Sequence, residues 1–137
     1  MTDSNCIFCK IVAGQVPSHK VYEDEFNIAF LDIAPFEKGH VLVVPKHHAA
    51  YFTDLPSERI PALGMAVQRV AAMLLERLPC DGFNLVQNNG ACANQVVPHV
   101  HFHVIPRWND QEISWKSSKY DDADDMQAVW RRLCGEG

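Results

Sequence analysis

The chain has 137 residues, 47% of them hydrophobic and 21% charged, with a formal net charge of −5. Residues 1–137 therefore read as one domain, large enough to bury a core without disulfide staples, and collagen, coiled coil and wholesale disorder are excluded. No apolar run reaches about 18 residues and no basic-then-apolar leader opens the chain, so no membrane span or secretory signal is expected.

The acidic balance argues against a membrane surface or a nucleic acid as main partner, though a small anion can still find a local positive site. Five cysteines, an odd number, read as reduced thiols in the cytoplasm.

Taken in chain order, residues 6–13 predict a short helix closed by Gly14. Residues 21–23 and 27–32 flank Asp24-Glu25 as a hairpin. After a loop at 35–39, the β-branched run 40–45 predicts a buried strand ended by Pro45. From Ser57 the period changes. Leu63, Val67, Val70 and Leu74 recur at helical spacing to about Leu78, with Pro56 and Pro61 allowing two different first turns. Strands follow at 83–87 and 97–106, separated by a small polar loop at 88–95, and a helix is expected at 124–133. This order predicts an α+β fold with an antiparallel sheet of about five strands, one long helix and short terminal helices.

The informative segment is Pro98-His99-Val100-His101-Phe102-His103-Val104-Ile105-Pro106. On a strand, residues two apart share a side. His99, His101 and His103 then form one row, with Val100, Phe102 and Val104 toward the core. Alternating histidines are hard to explain as core filling, because imidazole is both a base and a metal ligand. Two chemistries suit the row: a metal held by all three, or one imidazole attacking phosphorus while its neighbours hold the charged oxygens. Asn88, Asn89, Gly90, Asn94 and Gln95 just before it supply amide donors and exposed backbone N–H groups suited to an anion. Few carboxylates are nearby to complete a catalytic metal site.

Gln95-Val96-Val97-Pro98 followed by His99-x-His101-x-His103 and two apolar residues resembles the signature of the histidine triad (HIT) superfamily. The resemblance covers most of the chain. Cys6-Ile7-Phe8-Cys9, Val21-Tyr22-Glu23-Asp24-Glu25, Ala29-Phe30-Leu31-Asp32-Ile33, Lys38-Gly39-His40 with its apolar strand and Pro45-Lys46, and Asn88-Asn89-Gly90 come in the family's order. Within the superfamily the chain resembles the bacterial-type and nucleoside phosphoramidase branches. The galactose-1-phosphate transferases replace the last histidine with glutamine, whereas His103 is kept here.

The resemblance implies a HIT-like fold that dimerises through the long helix and an edge strand into a ten-stranded sheet. It implies a hydrolase or transferase that cleaves purine nucleotide conjugates of AMP at the α-phosphate through a nucleotidyl-histidine. The substrates would be nucleoside 5′-phosphoramidates or dinucleoside polyphosphates. A nucleotide-binding regulatory module with incidental hydrolysis is the alternative. His101 would be the nucleophile, and His103 would donate to a phosphate oxygen. Gln95 and the backbone near Val96 and Val97 would hold the other oxygens, with His99 completing the triad. Asn94 stands where the family usually has glycine, and asparagine tolerates left-handed backbone better than most residues. Asp32 would bind the ribose; Phe8, Ile11, Phe30 and Ile33 would wall the base; Asn88 would lie near the phosphates.

Cys6, Cys9, His48 and His99 match the ligands of a structural zinc in some bacterial members, with His47 the weaker candidate. No organic cofactor is implied. His40 would orient His99 or face the leaving group. Trp108 has no role assigned, and Cys80, Cys92 and Cys134 show no pairing pattern.

Overall fold

The computed structural model describes residues 3–136. Its elements run α1 (Ile7–Val12), β1 (Lys20–Glu23), β2 (Asn27–Leu31), β3 (Val41–Pro45), α2 (Ile60–Arg77), β4 (Gly82–Gln87), β5 (Phe102–Arg107) and α3 (Ala123–Leu133). The five strands form one antiparallel sheet in the order β1-β2-β3-β5-β4. Fold class and element order are those the sequence predicts.

Strands β2 and β3 are buried along their whole length, which is why they read as apolar runs rather than alternating ones. Their odd-numbered side chains (Ala29, Leu31, Val41, Val43) pack with Leu63, Ala66, Val67, Val70 and Leu74 of α2. Their even-numbered ones (Ile28, Phe30, Leu42, Val44) pack with Cys6, Phe8 and Cys9 of the first helix and its cap. One face of the sheet is therefore the main core. The other carries the histidines, because Leu42 pairs with Phe30 on one side and with His103 on the other.

Local chemistry sets the element ends. Asp24 Oδ1 accepts from the N–H groups of Phe26 and Asn27 at 2.8 Å each, which closes the β1–β2 turn. A 3₁₀ turn at Ser57–Arg59 leads into α2, with Pro61 in its first turn, where the missing N–H is harmless. Asp122 caps α3 by accepting from the Asp125 N–H. Among the described residues no helix is long and apolar enough to cross a membrane.

The sequence expects a strand over 97–106, but β5 starts only at Phe102. Pro98 has no N–H to donate. The carbonyl of Pro45, at the end of β3, is taken by the His99 ring at 2.8 Å, and the Val100 N–H goes past the strand to Ala49. His99 and His101 thus lie on an irregular lead-in, and only His103 is on the ladder.

Candidate functional site

The triad sits where β3 and β5 meet, behind the loop from Asn88 to Gln95. Gly90, at φ 91°, opens that loop, and a Cβ there would meet the Tyr51 hydroxyl oxygen at 2.7 Å. Asn94 takes the left-handed conformation, φ 69° and ψ 24°, as its asparagine side chain allows. The Gln95 carboxamide is nearly buried and braces the loop: its oxygen accepts from the Gly90 N–H and its nitrogen donates to the Ala50 carbonyl, both at 2.7 Å. One amide hydrogen remains to Gln95 for a ligand.

The three histidines do not share one tautomer, and the hydrogen bonds say which each holds. The His101 Nδ1 lies 2.7 Å from the carbonyl of His99, so Nδ1 carries the proton and Nε2 has a free lone pair. The His99 Nε2 donates to the Pro45 carbonyl, which leaves its Nδ1 as the free nitrogen. His103 is set by relay. The Phe36 N–H donates to His40 Nδ1 at 3.0 Å, so neutral His40 carries its proton on Nε2, and this donates to His103 Nδ1 at 2.9 Å. The remaining proton of His103 is therefore on Nε2.

Burial keeps these rings neutral: it lowers His40 to about 3 and His103 to about 4, and lowers His101 as well. His40 orients His103 and not His99, which corrects one of its two expected roles. The Pro35–Gly39 turn, with Gly39 at φ 99°, delivers it. No periodicity marks this residue in the sequence; only its place in Lys38-Gly39-His40 does.

A consequence for stability follows. Native His40 and His103 resist protonation down to about 4 or below, whereas in the unfolded chain both titrate near 6.5. As pH falls through 6.5 the unfolded state takes up protons first. Their contribution is thus complete above that pH and is lost toward pH 4, at up to about 1.4 kcal/mol per pH unit for each ring. Urea unfolding of chelator-treated protein should show at least about 2 kcal/mol less stability at pH 5 than at pH 7. Equal stability at the two values would contradict the buried neutral pair.

Around the triad, Phe8 packs edge-on against His101 at 5.1 Å and Phe30 at 5.6 Å, with Ile11 and Val97 against the same apolar cluster. Ile33 does not join them; it is 79% exposed, just past the end of β2, where no strand holds it against the sheet. Val96 is also exposed, while the Asn88 amide lies 3.5 Å from the Asn94 carbonyl. Asp32 Oδ1 accepts from the Ala34 N–H at 2.9 Å, and Oδ2 lies 3.7 Å from His40 Nε2, beyond hydrogen-bonding reach. Burial raises the Asp32 carboxyl above its usual range, opposed by the Ala34 N–H and by His101.

Cys6, Cys9, His48 and His99 converge behind the triad. Their donor atoms lie within 4.8 Å of one another, a set able to hold a metal ion. Cys6 Sγ is 3.3 Å from His99 Nδ1, Cys9 Sγ is 3.4 Å from His48 Nδ1, and the two Nδ1 atoms are 3.2 Å apart. His99 faces this cluster while His103 faces His40 and Asp32, so among the described residues the three triad rings do not converge on one metal. That removes the reading in which all three are ligands.

Residues 13–110 match the family model of the HIT domain. The chain belongs to the histidine triad family. Among its relatives, the adenosine 5′-monophosphoramidase of Schizosaccharomyces pombe is 43% identical over 116 residues, covering 82% of this chain and 84% of that one. The adenylylsulfatase of Arabidopsis thaliana is 35% identical over 139 residues, covering 96% and 71%. Among solved structures, a zinc-bound histidine triad family protein from Mycobacterium smegmatis superposes with a TM-score of 0.87 at 39% identity, covering 96% of this chain and 91% of that one. The lead-in through Pro98 to His101 and the Asn88–Gln95 loop are thus parts of a HIT domain.

Proposed function

We propose that this HIT protein is a nucleotide hydrolase or transferase. It cleaves purine nucleotide conjugates of AMP (phosphoramidates or dinucleoside polyphosphates) at the α-phosphate and releases the nucleoside monophosphate. The observation that carries this reading is the pair of opposed tautomers, a lone pair on His101 Nε2 beside a proton on His103 Nε2. The names of the yeast and plant relatives point to the same substrate class.

In this reading the His101 lone pair attacks phosphorus as the bond to the leaving group breaks, and the leaving group departs with that electron pair and takes up a proton. His103 Nε2 donates to a non-bridging oxygen, assisted by Gln95 and by the backbone near Val96 and Val97. Water then attacks phosphorus from the vacated side and gives up to solvent a proton equal to the one the leaving group took from it, the N–P bond breaks, and the lone pair returns to His101. Asp32 Oδ2 receives the ribose hydroxyls, Phe8, Ile11 and Phe30 wall the base with Ile33 at its rim, and Asn88 lines the phosphate loop. Incubation with a panel of AMP conjugates, followed by mass spectrometry for a nucleotidyl adduct on His101, tests the reading; turnover without any adduct counts against it.

Cys6, Cys9, His48 and His99 would hold zinc. Tetrahedral zinc with two sulfur and two nitrogen ligands sets S···N edges near about 3.6 Å and an N···N edge near about 3.3 Å. The S···N distances here are 3.3, 3.4 and 3.6 Å and the N···N distance 3.2 Å. The tautomer of His99 supports this, since its Nδ1 lone pair points into the cluster. Bound there, zinc would tie the first helix to the triad lead-in and supply no chemistry to the reaction.

Residues 1–137 are taken as one domain, acting in the cytoplasm without an organic cofactor, a membrane or a nucleic acid. Its five cysteines, none in a disulfide, fit a reducing compartment. A homodimer is expected through α2 and β4. Trp130 Nε1 covers one sheet edge by donating to the Lys20 carbonyl, whereas β4 is the opposite edge strand. Met65, Leu75 and Leu85 stand about half exposed on this helix and strand. Sedimentation should give a dimer at micromolar concentration, and a monomer there would refute it.

A further inference from the structure

Arg107 ends β5 on the same side of the strand as His103, four residues or about 13 Å further along. Its guanidinium is buried, yet neither Nη1 nor Nη2 has a hydrogen-bond partner among the described residues. Nε donates to Asn84 Oδ1 at 2.8 Å, and Glu37 Oε2 pairs with Nη1 only at 3.7 Å, a loose ion pair outside hydrogen-bonding reach. A buried cation with two unsatisfied donor groups is costly unless an anion completes it.

What covers it is a single, half-exposed side chain. The Trp115 ring lies over the guanidinium, 4.8 Å to the ring centre, and is 54% exposed on a segment without helix or strand. Trp115 also meets Phe36 edge-on at 6.2 Å, and Phe36 stacks on His103 at 6.3 Å with 14° between planes. An unbroken wall of side chains thus runs from the triad to the cation.

We propose that Arg107, with Trp115 as its cover, forms a subsite for an anionic group, carboxylate or phosphate, carried by the leaving group on the order of 10 Å from the scissile phosphorus. This rests on the reading of the triad as a nucleotide-cleaving site. An outstretched leaving group lies along Phe36, displaces the Trp115 ring, and puts its anion in the fork of Nη1 and Nη2. Glu37 is the internal competitor for that fork.

The test uses AMP joined through a P–N bond to a six-carbon amine whose far end is a carboxylate, a phosphate monoester or a neutral carboxamide. The wild type should favour at least one anionic tail over the amide by about tenfold or more in kcat/KM, mainly through KM, and the better tail identifies the anion. Arg107→Gln should bring that ratio near one, and Arg107→Lys should keep part of it. Glu37→Gln should raise it several-fold and decides the matter if Arg107→Gln does not fold.

A wild-type ratio near one, a ratio unchanged by Arg107→Gln, or no rise in Glu37→Gln overturns the subsite. If no conjugate is turned over, the nucleotide-cleaving reading fails on its own. The free tails, followed at the Arg107 Nε resonance, then still decide: a shift with an anionic tail and not with the amide supports the subsite, and no shift with any tail overturns it.

Discussion

His101→Ala should lose at least about 10³-fold in kcat and form no nucleotidyl adduct, while still binding the nucleotide. The size follows from the loss of a nucleophile in a preorganised site. Neither of the other two triad rings can replace it. The free nitrogen of His99 faces Cys6 and Cys9, and the outward nitrogen of His103 carries a proton placed there by His40. Nucleotide binding should survive because, in the proposed reading, the ribose and base contacts fall on Asp32, Phe8 and Phe30, and Phe8 is also held by its edge-on contact with Phe30. The measurements are single-turnover kinetics, intact mass after quenching, and equilibrium binding of AMP. Near-wild-type turnover in His101→Ala, or inversion at a chiral thiophosphate, would falsify the assignment, since two displacements give net retention.

Much of this arrangement is legible in the sequence, because it depends on parity and on local backbone chemistry. The alternation of Val100 and Val104 with the histidines predicts which side chains enter the core, and both valines are fully buried there. Asparagine stands at position 94 in place of the family's usual glycine, a residue type that tolerates left-handed backbone, and Asn94 is found there at φ 69°. What escapes is whatever depends on competition for a hydrogen bond between distant segments. The late start of β5 is of this kind, since it turns on the His99 ring taking a carbonyl 54 residues away in the chain. So is the relay from Phe36 through His40 to His103, which joins a loop amide to a ring 63 residues beyond His40. Ile33 escapes for another reason. The family resemblance marks it as a wall residue, but the strand stops at Leu31, so no strand holds its side chain against the sheet.

Replacing Cys6 or Cys9 by serine should lower the melting temperature by about 10 °C or more while changing kcat by less than about tenfold. Each variant removes one of two sulfur donors, and a serine hydroxyl does not replace a thiolate at zinc. A metal present at about a thousand times its dissociation constant stabilises the fold by about 4 kcal/mol, which in a domain of this size is a shift of ten degrees or more. In the proposed mechanism the chemical step is buffered, because His99 would act on His101 through its backbone carbonyl and not its ring. That carbonyl is positioned by the Val100 N–H on Ala49 and by the His99 Nε2 on Pro45, neither of which involves a cysteine. Purified protein should contain one zinc per chain. Calorimetry with and without chelator should show the wild type falling to the melting temperature of the variants, while the variants themselves do not respond. Metal-free protein that takes up no zinc would refute the zinc site, and variants whose kcat falls a hundredfold with an unchanged melting temperature would mean that the cluster serves the reaction rather than the fold.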